Sequence, residues 1–472
     1  MPDRILLPLI VACALFMENL DATVLSTALP AIAKDFDANP IHLKLALTSY
    51  LLAIAIFIPA SGWLADRHGA RLVFRLAILT FVTGSILCGL SSSIPEIVAA
   101  RIVQGIGGSM MVPVGRLVIL RSIDKRDLVG SLAWLTVPAL IGPVMGPPVG
   151  GFITTYFEWR WIFWINVPVG VLGLVLATLY IPDIRGADRP RFDARGFALA
   201  GLGLALFMSG STTLGLDLLP LGYVFAMLAG GGALLLAYIA HSRRVAAPII
   251  DLSLFRIHTF RTSMVGTMLF RIGVGATPFL LPLLLQLGFG MTPFRSGMIT
   301  FAAAIGALAM KFAAPPILRR HGFRSVLVVN AVVAGLFVML PAAFVPTTPV
   351  WLMTGLLLVG GFFRSLQFTS VNALAFADIP PDRMSRATTM TSVAQQLALS
   401  IGISVGAIMV QLTSAATGGE IAASSFWPAF LVVGMLTTAS TVPFMRLAHD
   451  AGHEMSGHRR YAPDAVTTMR ER

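Results

Sequence analysis

The stretch "GWLADRHGAR", residues 62–71, sets Asp66, Arg67, His68 and Arg71 between two long apolar runs, and "RRHGFR", residues 319–324, sets a similar knot far along the chain. Arg67-His68-Gly69 and Arg71 recur as Arg320-His321-Gly322 and Arg324, at an offset of 253 residues. Further on, Gly142 and Gly146 are echoed by Gly402 and Gly406 at an offset of 260. Two offsets this close predict a chain of two similar halves in parallel orientation.

The runs around these knots say what the halves are made of. Of 472 residues 56% are hydrophobic and 12% charged, and the mean hydropathy is +0.83. Such a chain is a polytopic membrane protein, whose backbone must satisfy its own hydrogen bonds inside the bilayer. The runs are continuous rather than alternating, which argues for helices over a transmembrane barrel. Fourteen apolar spans are read, from 5–30 to 426–446, each near the roughly 20 residues that cross a bilayer. The first carries Glu18 and Asp21 and no clear small-residue cleavage site, so it is read as a retained helix rather than a signal peptide.

The basic residues test that count. With the amino terminus inside, 26 of the 34 lysines and arginines fall in inner loops and tails, including Arg67, Arg71, Arg121, Arg320 and Arg324. Only Lys34, Lys44, Arg160 and Arg295 fall outside, and Arg101, Arg271, Lys311 and Arg364 lie within spans. A miscounted helix would invert every later loop, so the bias supports fourteen helices with both termini cytoplasmic. The expected division is an amino-terminal six-helix bundle over 1–182, two extra helices over 183–260, a carboxyl-terminal six-helix bundle over 261–447 and a polar tail over 448–472. An even insertion keeps the second half the same way up.

The +12 formal charge is spread over many short loops, which excludes a nucleic-acid face. Cys13 and Cys88 both lie in spans and indicate neither a disulfide framework nor a thiolate metal site. His449, His453 and His458 crowd the polar tail, but with no cysteines or fixed scaffold no metal site is assigned. No Walker loop, GxSxG or HExxH occurs, so neither ATP-driven transport nor hydrolysis is encoded.

Charges inside spans are costly and default to function. Glu18 and Asp21, three apart, share a face of the first helix. Arg101 lies six residues into the fourth helix, about 9 Å deep, level with Asp21, so the two are expected to meet. A carboxylate there can bind a proton, whereas an arginine cannot release one. Asp21 or Glu18 is therefore the expected proton carrier and Arg101 its partner; the alternative is a structural ion pair fixing one helix against the other. Arg271 and Arg364 lie mid-span in the second half, as functional candidates or bonded to carbonyls at helix kinks.

Two glycine motifs complete the set. In the knot, which holds Gly62 and Gly69, a glycine allows a tight turn and Asp66 with Arg67 and Arg71 can bond to neighbouring helix ends, latching one conformation. Arg320, Gly322 and Arg324 form the second copy. A solvated loop obeying the charge rule would need the arginines but neither Asp66 nor the glycines. In "GPVMGPPVGG", residues 142–151, Gly142, Gly146 and Gly150 form one smooth stripe for close helix approach, with Gly151 beside it. Pro143, Pro147 and Pro148 remove backbone donors and bend the helix. The bent seam can seal the path across the membrane, or simply pack.

These motifs in this order resemble the major facilitator superfamily, specifically its fourteen-helix branch of drug/proton antiporters. "GWLADRHGAR" is similar to the inner-loop signature after helix 2, with Ala70 where a basic residue is common. "NLDATVLSTALP", residues 19–30, is similar to the branch's helix 1 motif, with Ser26 where Asn is frequent. "RIVQGIGG", 101–108, and "GPVMGPPVGG" are similar to its helix 4 and helix 5 antiporter motifs. The resemblance spans nearly the whole chain. It implies an all-α integral membrane protein of the major facilitator fold, two six-helix bundles plus two inserted central helices, and a substrate cavity lined by superfamily helices 1, 4, 7 and 10, to which Asn19, Gln104, Arg271 and Arg364 are assigned. With Arg101, three arginines against two carboxylates make such a cavity net positive, favouring an organic anion or a neutral amphipath over a lipophilic cation. The resemblance also implies proton-coupled efflux of drug-like amphipaths, probed against export of organic anions such as carboxylate metabolites, metal chelates or siderophores. The implied energy source is the proton gradient with no cofactor, the implied place a bacterial inner membrane. The implied partners are a small-molecule substrate, protons and lipid, with no nucleic acid and no required oligomer. A sensor that has lost transport should lack the helix 1 acid or a second bundle, and neither is missing.

Overall fold

Apolar runs this long cannot leave backbone groups for lipid to satisfy, and they fold as helices that satisfy their own. In the computed structural model the described residues are 3–122, 128–185, 192–214, 218–245, 248–380, 383–417, 419–448 and 451–452, with side chains described outside 3–5 and 128–140. Loop residues Lys125, Arg126, Arg189 and Arg191 and the histidines His449, His453 and His458 lie outside them.

The amino-terminal helices are α1 Asp3–Asp35, α2 Lys44–His68, α3 Ala70–Leu90, α4 Ile94–Ser122, α5 Leu128–Tyr156, the single turn α6 Trp161–Trp164 and α7 Asn166–Tyr180. An intervening pair is α8 Ala194–Thr213 and α9 Leu221–Ser242. The rest are α10 His258–Gly275, α11 Thr277–Leu283, α12 Pro293–Met339, α13 Val350–Ala375, α14 Met384–Ala416, α15 Trp427–Ala439 and α16 Thr441–Met445. Among the described residues twelve helical stretches are long and apolar enough to cross a membrane, where the sequence leads one to expect fourteen. One stretch, Pro293–Ala343, runs 51 residues with non-helical backbone at Gly322, and α5, 29 residues long, is not among the twelve.

Local chemistry sets the helix ends. Asp193 accepts from the Gly196 amide at 2.9 Å and starts α8. Thr292 accepts from the Arg295 amide at 3.3 Å with Pro293 next to it, starting α12. The repeat predicted from the two knots is visible in the backbone: Gly69 turns α2 into α3 at φ 95°, and Gly322 turns the two parts of α12 at φ 72°. In each copy the following arginine reaches a carbonyl at the end of a distant helix. Arg71 Nε donates to Ile181, and Arg324 Nη2 donates to Met445 at 3.0 Å. These mark one end of the bundle, called here the basic end.

Buried apolar side chains are arranged unequally along the helices. Toward the basic end the two clusters are largely separate: Val11, Phe74, Ile78 and Val118 in one, which also takes in Val393 of α14, and Met310, Phe323, Leu374 and Phe444 in the other. Toward the opposite end a single cluster takes in residues of both halves, including Leu29, Leu43, Phe279, Leu284 and Phe430. A polar tie joins it there, Gln286 Nε2 donating to the Thr27 carbonyl at 2.9 Å. The halves meet along α5 with α12 and along α2 with α14.

The intervening pair lies on the second of these seams. α8 packs on α2, with Phe197 5.8 Å from Phe57 and Phe192 4.7 Å from Trp63, and also touches α14. α9 packs mainly on α8 and exposes Tyr223, Phe225 and Leu236. Its far end is tied by His241 to Asp193 at 2.8 Å. The segment after it reaches the other half, where Asp251 accepts from Arg386 at 3.1 Å and from the Ser253 hydroxyl at 2.6 Å. Burial pushes the Asp251 carboxyl up, but these hydrogen bonds and the charge of Arg386 together outweigh it and hold the group below its ordinary value of 3.8. Because the folded value lies below the unfolded one, the stabilisation is present above pH 3.8 and is lost as pH falls through the folded value. Asp251→Asn is expected to flatten the acid limb of thermal stability below about pH 4, read by melting series across that range; an unchanged limb would count against the tie.

Candidate functional site

The helix 1 carboxylate and the helix 4 arginine do meet. Arg101 Nη1 lies 2.5 Å from Asp21 Oδ2, with Arg101 fully buried and Asp21 2% exposed. A pair this deep needs its remaining atoms satisfied, and the neighbours supply most of this, Arg101 Nη2 being buried without a hydrogen-bond partner. Arg101 Nε donates to the Ala46 carbonyl at 3.2 Å, Nη1 donates to Gln104 Oε1 at 2.7 Å, and the guanidinium sits 4.0 Å over the ring of Tyr50. Asp21 Oδ1 accepts from Gln104 Nε2 and from Asn166 Nδ2, both at 2.9 Å. Asn166 also donates to Ser85 Oγ at 2.9 Å. Thus α1, α2, α3, α4 and α7 are pinned to one polar cluster inside the amino-terminal half.

Glu18, expected beside Asp21, stands apart from this network. Its Oε2 is buried with no hydrogen-bond partner. Tyr50, Ser85 and Asn166 are functional candidates that the sequence reading passed over. The signal for Asn166 was available: an amide in "WINVPVG", inside an apolar span, has to find a partner.

Between the halves lies a cavity of about 400 Å³, within the range that takes a drug-sized molecule. Its wall comes from α1, α5, α10 to α14 and is mostly apolar, with Pro143, Pro147, Phe337 and Phe368 prominent. Two cations, Lys311 and Arg364, line it, and among the described residues no carboxylate does. Lys311 donates to Thr369 at 3.3 Å. Arg364 is half-buried and has no carboxylate within ion-pair distance among the described residues.

The other cavity residues expected from sequence are placed differently. Gln104 is fully buried in the Asp21 cluster, because its amide completes the pair's hydrogen bonds. Asn19 turns back to donate to the Leu15 carbonyl at 2.8 Å. Arg271 lies behind the wall, its guanidinium 4.5 Å over the Phe368 ring and Nη2 3.4 Å from Asn372 Oδ1, with Nε buried and unpartnered.

The glycine stripe of α5 faces α1. A β-carbon at Gly142 would sit 3.0 Å from Asn19 Cβ, and one at Gly150 would sit 2.6 Å from the Val24 carbonyl; Gly146 meets Thr23 in the same way. Gly151 turns instead to α12, where a β-carbon would lie 2.9 Å from Phe294 Cα. Gly297 of α12 answers it against Pro147. The stripe therefore packs closely on α1, and Gly151 beside it packs on α12.

The knot is a set of local ties. Asp66 pairs with Arg121 of α4 at 2.8 Å. Arg67 instead lies 5.5 Å over the Trp63 ring. A β-carbon at Gly69 would run into Asp183, which pairs with Arg185 at 3.1 Å, while at Gly62 it would meet nothing within 4 Å. In the second copy Arg319 stands at the place of Asp66 and Arg320 is exposed. Among the described residues no group of three or more His, Cys, Asp or Glu is arranged to hold a metal.

Comparison with known proteins places this geometry. A family model described as the Major Facilitator Superfamily matches residues 11–255 and 263–466. The "Putative multidrug resistance protein MdtD" of Salmonella heidelberg (strain SL476) is 34% identical over 457 residues, 96% of each chain. The protein of that name from Pectobacterium carotovorum subsp. carotovorum (strain PC1) is 38% identical over 418 residues, 87% of this chain and 89% of the other. Among solved structures, a D-xylose-proton symporter superposes with TM-score 0.68 at 15% identity, covering 95% of this chain and 98% of that one. The human organic anion transporter MFSD10 superposes with TM-score 0.61 at 15% identity, covering 94% and 100%. These two likenesses concern the fold.

Proposed function

The chain belongs to the Major Facilitator Superfamily, a family of transporters rather than enzymes, and we propose that it exports amphipathic small molecules in exchange for protons by alternating access. The observation that carries this reading is the pairing of a mostly apolar cavity between the halves with a buried carboxylate–arginine cluster beside it. The names of the relatives point to multidrug efflux, and the resemblance of the helix 5 motif to antiporters supports export. The fold crosses the membrane fourteen times in this reading. A 51-residue stretch at 1.5 Å per residue is more than twice the roughly 30 Å hydrocarbon core, so the turn at Gly322 separates two crossings, and α5 makes another. The basic end is cytoplasmic by the charge rule, with both termini there and the chain in a bacterial inner membrane. The extra helices α8 and α9 stand between two six-helix bundles. In this reading the transmembrane proton gradient is the energy source and no cofactor is used.

A second reading, export of organic anions, is favoured by one observation: Lys311 and Arg364 line the cavity with no carboxylate opposite them. Purified protein in liposomes enclosing a pH-sensitive dye tests both readings. Ethidium and a fluorescent monocarboxylate serve as probes, with wild type beside Arg364→Ala. Proton movement driven by ethidium and indifferent to the substitution supports the amphipath reading. Movement driven by the carboxylate and lost in Arg364→Ala, by about tenfold or more for a charge-assisted contact, supports the anion reading. No proton movement with either probe would overturn antiport.

A further inference from the structure

Glu18 and Asp21 sit three residues apart on one helix, yet their surroundings are opposite in kind. Asp21 is enclosed by groups that give hydrogen bonds. Arg101 Nη1 cannot accept one, so the contact it makes with Gln104 at 2.7 Å fixes the amide oxygen on that side. The amide nitrogen of Gln104 is thereby turned onto Asp21 Oδ1 at 2.9 Å, where the Asn166 nitrogen joins it. A proton on Asp21 would have to displace one of these donors and would leave Arg101, fully buried, without its counter-charge. Glu18 has no such donors. Its Oε2 is buried and unpartnered, so a proton placed there displaces nothing. A buried ionised oxygen left bare is far costlier than a neutral one.

The ionisable groups facing Glu18 are few. On its own helix it feels Asp21, and from α4 the side chain of Arg116. From α2 the phenol of Tyr50 faces it, and that hydroxyl is also buried without a partner. Of the other elements packed on α1, α5 has no ionisable residue before Tyr156, α7 none before Tyr180, and α6 and α11 none at all, while the turn at 40–43 brings His42 and α12 brings only cations and a histidine, Arg295 and Lys311 first among them.

We propose that Glu18 is the carboxylate that takes up and releases the transported proton, and that Asp21 stays ionised throughout as the fixed counter-charge of Arg101. This assignment rests on the antiport reading for its purpose, but not for its test. The step is a single O–H bond made with a proton from water on one side and broken to water on the other, with no other group changing its proton count. Taking up the proton removes the repulsion between two like charges three residues apart. Losing it leaves an anion drawn to Arg116, which lies fifteen residues along α4 from Arg101 toward the basic end. Proton occupancy of Glu18 thus changes the forces between α1 and α4 while the Asp21 cluster keeps its geometry.

Infrared difference spectroscopy of the full chain in lipid nanodiscs, stepped in pH, reads the stretch of a protonated buried carboxyl directly. The expected result is a titrating band in wild type that is lost in Glu18→Gln, returns at a shifted position in Glu18→Asp, and remains in Asp21→Asn. A band that persists in Glu18→Gln, or a wild type with no titrating band, would overturn the assignment. Should Asp21→Asn fail to fold, the Glu18→Gln and Glu18→Asp pair decides alone. Proton flux in dye-loaded liposomes with ethidium is measured alongside. A Glu18-dependent band in a wild type that moves no protons would overturn antiport and leave the proton on Glu18.

Discussion

Arg101→Ala is expected to lower the stability of the folded chain by about 3–5 kcal/mol, the cost of leaving a buried charge without its partner. Asp21 would keep its two amide donors but lose the only cation within ion-pair distance of it among the described residues, and the Gln104 and Ala46 carbonyl oxygens would lose a donor as well. The ring of Tyr50 would also face an empty space where the guanidinium lay. Removing both charges together, as Asp21→Asn with Arg101→Met, should cost less than the single change, because no bare charge remains. Thermal unfolding of detergent-solubilised protein measures both. A double variant no better than the single one would mean that the pair is not energetically coupled.

Gly297→Val should act on conformation rather than on folding. Its β-carbon would lie 2.9 Å from the carbonyl carbon of Pro147, a backbone atom that cannot swing aside. Overpacking of this kind costs about 1–3 kcal/mol. Imposed only when α5 and α12 are in contact, it shifts the balance toward separated helices by about 5- to 150-fold. Spin labels at Tyr156 and Arg295, both exposed beside the seam, report the distance across it. A growing population of longer distances is expected, with transport falling accordingly. An unchanged distribution would show that the α5–α12 contact does not hold this end closed.

Much of this was legible because membrane helices are written in long, unambiguous runs. The repeat was legible too, since Gly69 and Gly322 adopt backbone that favours glycine. The Asp21–Arg101 contact could be reached from depth alone: two charges at one level in lipid have few choices. What depth cannot give is which way a side chain turns about its helix. Gln104 is one turn from Arg101 and could face the cavity or the pair; the hydrogen-bonding needs of Arg101 decide it. Arg271 shares its span with cavity residues such as Val274 and Gly275, yet Phe368 stands between it and the cavity. Asn166 and Tyr50 come from helices read as plain apolar spans, and their roles depend on tertiary neighbours that no local spacing records. The glycines of α5 announced close packing, but the switch of partner from α1 at Gly150 to α12 at Gly151 follows from adjacent residues pointing in different directions around the helix.

A chain whose halves repeat can be compared with itself, and the comparison separates constraints of shape from constraints of charge. Where left-handed backbone is required, at Gly69 and Gly322, the two copies still agree, as do Arg71 and Arg324, each reaching a helix-end carbonyl. At Asp66 the copies differ, Arg319 standing at its place, so the carboxylate that pairs with Arg121 has no counterpart there. The molecule carries its own control sequence: both copies keep the turn and the cations around it, and only the first adds an acid.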